Sequence, residues 1–108
     1  MLDEKFQTAV NHWMQVVQSW INTNYAANYS HLTPPVITMS VGCRYVKIVR
    51  EDTGRSTSKS VFAFIDKTNG DILKPSSWAA PAKHARGNLF DTMGGLGQVD
   101  ADGVHYLR

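Results

Sequence analysis

The first two dozen residues constrain this chain most. From Asp3 to about Asn24 the apolar residues stand at Phe6, Val10, Trp13, Val17, Trp20 and Ile21. That alternation of four- and three-residue steps marks one face of an amphipathic helix. Asp3 suits its N-cap, and Asp3 and Glu4 both suit the positive end of its dipole. Gln7, Asn11, Gln15, Gln18 and Asn22 form a polar, nearly uncharged opposite face. Such a helix must bury its stripe, against a core of its own or against a second subunit, and its two indoles leave both options open.

From Val36 onward the apolar pattern changes to period two. Val36 to Val41 reads as a strand, and Gly42 breaks it. Arg44 to Arg50 reads as a second strand, with Val46 and Ile48 on one face and Tyr45, Lys47 and Val49 on the other. Glu51 to Lys59 is a polar, glycine-containing loop. Ser60 to Asp66 is the strongest strand, with Phe62 and Phe64 on one face and Val61, Ala63 and Ile65 on the other. Asn69-Gly70 suits a hairpin turn after it, and Asp71 to Lys74 returns as a short strand ahead of Pro75. The expected fold is α+β: a long N-terminal helix packed on a small antiparallel sheet of three to five strands. Beyond Pro75 the strand pattern fades. Pro81 suits the first turn of a short helix and Gly87 its end. Gly94-Gly95-Leu96-Gly97 reads as a flexible turn, and Val104 to Arg108 as a short tail strand.

A chain of 108 residues has room for one domain, and 43% hydrophobic against 19% charged residues is a folding composition. No stretch approaches the ~20 apolar residues of a membrane span, and the N-terminus has no signal-peptide pattern. A soluble cytoplasmic protein is expected. The single Cys43 excludes an intrachain disulfide, and the four histidines lack metal-ligand spacing, so neither a metal nor another cofactor is expected.

The formal net charge is only +2, which argues against a protein that binds polyanions by charge alone. That charge is unevenly spread. From Arg44 to Arg86 nine basic residues face four acidic ones, a local +5, whereas the flanks carry −3. A local +5 suits either an anionic ligand or an ordinary solvated surface. Within it, Trp78 to Asn88 gathers the groups that a nucleotide needs. Trp78 offers a flat face for a base, or a plug for the core. Lys83 and Arg86 offer charge to phosphate, and Asn88 an amide to a base edge or a ribose hydroxyl.

Signals for catalysis are weak. Gly94 to Gly97 lacks the Lys-Ser/Thr ending of a P-loop, no serine stands in a nucleophile elbow, and His84 has no orienting carboxylate nearby in sequence. A strand cysteine beside Arg44 reads as packing.

The run SVFAFIDKTNGDILKPSSWAAPAKHARGNLFD, Ser60 to Asp91, resembles a family of phage proteins, the first-described type of Thoeris anti-defence protein. Its most specific parts are Gly70 to Pro75, Trp78, Pro81 to Asn88 and Phe90-Asp91. The resemblance implies a non-catalytic sponge that binds a cyclic ADP-ribose isomer made by a TIR-domain sensor and holds it uncleaved. It also implies a pocket between two subunits, dimers that assemble into a hexamer, and in some relatives a separate site for cyclic oligonucleotides. By position, Trp78 matches the base-stacking ring, Asn88 a polar contact and Arg86 its basic neighbour, while Arg108 corresponds to a C-terminal arginine on the phosphates. The alternative from the same basic and aromatic groups is a small phage nucleic-acid-binding module; a nucleotide-degrading enzyme is a third option.

Overall fold

A computed structural model describes residues 3–52, 58–100 and 103–104. One helix, α1 (Glu4–Asn28), precedes five strands: β1 (Val36–Val41), β2 (Tyr45–Glu51), β3 (Lys59–Asp66), β4 (Asp71–Pro75) and β5 (Pro81–Asn88). They form an antiparallel meander in the order β1-β2-β3-β4-β5. A small hairpin, β6 (Val99–Asp100) with β7 (Gly103–Val104), completes the described elements. The α+β expectation holds.

The Asp3 carboxylate caps α1 by accepting the Phe6 N–H at 2.8 Å. The helix runs one turn past the expected Asn24. Ala26 and Ala27 favour helix, and the Asn28 amide donates to the Asn24 carbonyl at 3.2 Å. Phe6, Val10, Trp13, Val17 and Ile21 are buried in the chain's own core, against Ile37, Val46, Ile48, Ala63, Ile65 and Ile72. Each such side chain contributes about 1.5–3 kcal/mol relative to exposure. Trp13 is fully buried and Trp20 half-buried against the same core.

Two irregularities decide what faces where. The β2–β3 register shifts between Ile48 and Val49, so that Ile48 opposes Ala63 while Val49 opposes Val61. Phe62 is the extra residue of that bulge. It therefore joins the helix side, edge-on to Trp13 at 6.0 Å. Phe64 lies on the opposite side, edge-on to Tyr45 at 5.9 Å. The expectation that both phenylalanines share a face is corrected for that reason.

The expected short helix over Pro81–Gly87 is also corrected. This segment is β5, paired with β4 through two further register shifts. Edge position resolves the conflict, because an outer strand accommodates Pro81, and Lys83, Arg86 and the irregular pairing all discourage further strand addition there. The other edge is guarded from the helix. Gln18 donates its Nε2–H to the Pro35 carbonyl at 2.9 Å and accepts the Ile37 N–H at 2.9 Å, as a neighbouring strand would.

The Gly94–Gly97 segment is fixed to the core. Asp91 accepts the N–H groups of Asn88, Met93 and Gly95 at 2.9–3.0 Å. Gly95 has φ +82°, and a Cβ there would stand 3.1 Å from Ile72 Cγ1. Its carbonyl accepts the Trp13 indole N–H at 3.2 Å. Of the expected tail strand, only Val104 lies among the described residues.

Candidate functional site

With α1 on one side of the sheet, the other side carries no helix among the described residues. Register places a row across it: Lys47 opposes Phe64, Phe64 opposes Leu73, and Leu73 opposes Ala85. Phe64 and Leu73 are buried and give this face an apolar floor. Cations surround the floor. The Arg44 guanidinium lies 5.2 Å from the Tyr45 ring centroid, and the Lys47 ammonium lies 5.9 Å from that of Phe64.

Trp78 stands at the tip of the β4–β5 turn. That turn is closed by the N–H groups of Ser76 and Ser77, which both donate to the Ala80 carbonyl at 3.0 and 3.1 Å. The indole is 51% exposed, so it is no core plug. The Lys47 ammonium sits 4.4 Å from its ring, a cation–π distance. With Val61 and Pro75 the indole lines a shallow hollow of about 320 Å³.

A second, more polar cleft of about 420 Å³ lies toward the β3–β4 turn. Arg44, Tyr45, Asp66, Asp71 and Lys83 line it over the Leu73 end of the floor. Asp66 is already satisfied. It accepts the Thr68 hydroxyl at 2.6 Å and the Thr68 N–H at 2.8 Å, and pairs with Arg44 at 3.5 Å. Burial pushes its pKa up, but the Thr68 hydrogen bonds and the Arg44 charge outweigh that and hold the carboxyl below its ordinary value. The cleft thus carries a quenched carboxylate beside the exposed Lys83.

The residues singled out from the sequence divide accordingly. Trp78 and Lys83 open onto the helix-free face. Arg86, half-buried in β5, donates to the His84 carbonyl, and its Nε is buried without a hydrogen-bond partner among the described residues. Asn88 serves the fold: both Nδ2 hydrogens are taken, by the Asn69 carbonyl and Asp71. Arg108 lies outside the described residues. Arg44 and Lys47 were placed on the second strand by the sequence, Lys47 on the face of Tyr45 and Val49, but neither was singled out as a site residue. Finding Lys47 required knowing that Phe64 and Trp78 lie beside that face. Cys43 is exposed in the β1–β2 turn and does not pack as a strand cysteine. Among the described residues no group of three or more His, Cys, Asp or Glu side chains is placed to hold a metal ion, and no helix is long and apolar enough to cross a membrane.

A family model described as a family of unknown function matches residues 2–107, nearly the whole chain. No curated protein and no solved structure matches it.

Proposed function

The chain belongs to this family, DUF7717, and we propose that it is a non-catalytic nucleotide-binding protein that captures a cyclic nucleotide on the helix-free face and holds it intact. The observation that carries this reading is the half-exposed Trp78 indole, backed at 4.4 Å by the Lys47 ammonium, on the face that also carries Arg44 and Lys83. A cyclic nucleotide presents a base to stack and phosphates to neutralise. The base goes on Trp78, and the phosphates lie toward Lys47, Arg44 and Lys83. Base–aromatic stacking contributes about 1–3 kcal/mol.

Sequestration requires the ligand to be enclosed, and small-ligand sites bury about 70–90% of their ligand's surface. The helix-free face is open in one subunit. A second copy laid over it, as a dimer or a larger ring such as a hexamer, supplies the missing wall. On this reading the ligand is a cyclic ADP-ribose isomer, and the chain acts in the cytoplasm of a host cell as an anti-defence sponge against Thoeris-type immunity.

The test is to incubate the protein with a cyclic ADP-ribose isomer, remove free ligand, denature by heat, and analyse the supernatant. Intact ligand in stoichiometric amount supports capture. Cleaved products assign an enzyme instead. No bound nucleotide, together with oligonucleotide binding that weakens steeply with salt, assigns a nucleic-acid-binding module.

A further inference from the structure

The helix crosses its side of the sheet obliquely. It starts near the end of β5, where Phe6 meets Phe90 edge-on at 6.2 Å, and reaches β1 at Gln18. The far ends of β2, β3 and β4 therefore retain an uncovered corner. A cleft of about 330 Å³ occupies it, lined by Arg50, Asp52, Ser60, Phe62, Lys74 and Val104. That volume lies at the small end of ligand clefts, which run from about 300 to 1,000 Å³.

The cations here are anchored and half-buried. Arg50 follows the core residue Ile48 on the helix side of β2, and its guanidinium donates to the Tyr25 hydroxyl at 3.1 Å. Lys74 donates to the Val104 carbonyl at 2.9 Å, which fixes its ammonium at the cleft wall. Arg50 takes part in neither of the ion pairs seen here, Arg44–Asp66 and Lys59–Glu51. A guanidinium carries five N–H donors, and the Tyr25 hydroxyl accepts from one nitrogen. A half-buried guanidinium with only a neutral partner favours an anion beside it. Ser60 adds an exposed hydroxyl. Asp52 accepts the Ser58 hydroxyl through one oxygen at 2.6 Å, which leaves the other for a ligand hydroxyl.

We propose that this corner, which borders the Trp78 hollow at Ser60, Val61 and Pro75 but carries its own cations Arg50 and Lys74, is a second anion site for the phosphoryl group of a small sugar phosphate. The planar fork of Arg50 pairs with two phosphoryl oxygens, Lys74 adds a point charge, and Ser60 donates to a third oxygen. Asp52 repels bare phosphate and accepts a sugar hydroxyl, so the site selects the ester over the free ion. This assignment does not depend on the function proposed for the other face.

Titration calorimetry at low ionic strength, with inorganic phosphate and with ribose 5-phosphate as probes, tests it. The intact protein is expected to bind both, the ester more tightly. Arg50→Gln weakens both by about tenfold, the loss of one charge-assisted contact. Asp52→Asn tightens inorganic phosphate and removes the preference for the ester, a change of opposite sign that no loss of folding can imitate. Trp78→Ala leaves both affinities unchanged. The assignment is overturned by an absence of binding heat with both probes, by an unchanged Asp52→Asn titration, or by loss of binding in Trp78→Ala.

Discussion

Asn88 donates to the Asp71 carboxylate at 2.9 Å, across the first pair of the β4–β5 ladder. It also donates to the Asn69 carbonyl at 2.7 Å and accepts the Phe90 N–H at 2.8 Å. One amide thus ties the β3–β4 turn to the end of β5. Asn88→Ala is expected to cost about 0.5–1.5 kcal/mol, since of its three side-chain hydrogen bonds only that to Asp71 is partly buried. Urea denaturation checks this. Any loss of nucleotide capture in this variant comes with a loss of stability.

Trp78→Ala is expected to behave in the opposite way. The indole is half-exposed at a turn tip, so its removal changes stability by no more than about 0.5–1 kcal/mol. On the proposed function it lowers nucleotide capture about tenfold or more, the loss of one stacking contact. Thermal melts and the heat-release assay, run side by side, separate the two effects.

Acid should weaken the fold through two carboxylates. The pKa of Asp91 is held below its ordinary value chiefly by the Gly95 N–H, against a desolvation penalty, with help from Asn88, Met93 and Gly94. Asp66 is lowered as well. Because both native values are depressed, the stability they confer is complete above the unfolded carboxylate pKa of about 3.9 and is lost as pH falls through the lower native values. The expected outcome is a melting temperature that drops below about pH 4, with a smaller drop in Asp91→Asn and in Asp66→Asn. Melts at pH 7, 5, 3 and 2 check it.

Trp13→Phe keeps a phenyl ring but removes the pyrrole half of the fully buried indole, opening a small cavity and deleting the donor to Gly95. The buried Gly95 carbonyl is left unmatched, at an expected cost of about 1–3 kcal/mol. Gly95→Ala acts on the same contact from the other side. It forces a side chain onto φ +82° and against Ile72, at a cost of about 1–2 kcal/mol. The double variant should lose less than the sum of the two, which a denaturation cycle measures.

The sequence was most legible where periodicity was strong. The α1 stripe and the alternation of β1, β2 and β4 carry their own direction, because a one-residue error would turn every apolar side chain outward. Phe62 defeated that logic, since a bulge depends on how two strands meet and leaves no mark in one strand's alternation. β5 failed differently. Pro81 and Gly87 are helix punctuation in isolation, and only the neighbouring edge of β4 makes PAKHARGN a strand. At the candidate site, the residue types of Trp78 and Lys83 were visible in the sequence, whereas the hydrogen bonds of Asn88 to Asn69 and Asp71 were not, because those partners lie 17–19 residues away. The Lys47–Trp78 contact joins two segments that only the folded sheet brings together.

The contact between Trp13 and Gly95 spans 82 residues. A ribosome adding about 5–20 residues per second makes α1 several seconds before it makes the turn that receives its indole. The meander from β1 to β5 can pair as it emerges, since each strand finds its partner next in line. The helix cannot finish docking until nearly the last described residues are out. The order of synthesis thus leaves the buried Trp13 indole N–H without its carbonyl partner until the Gly95 turn has been made.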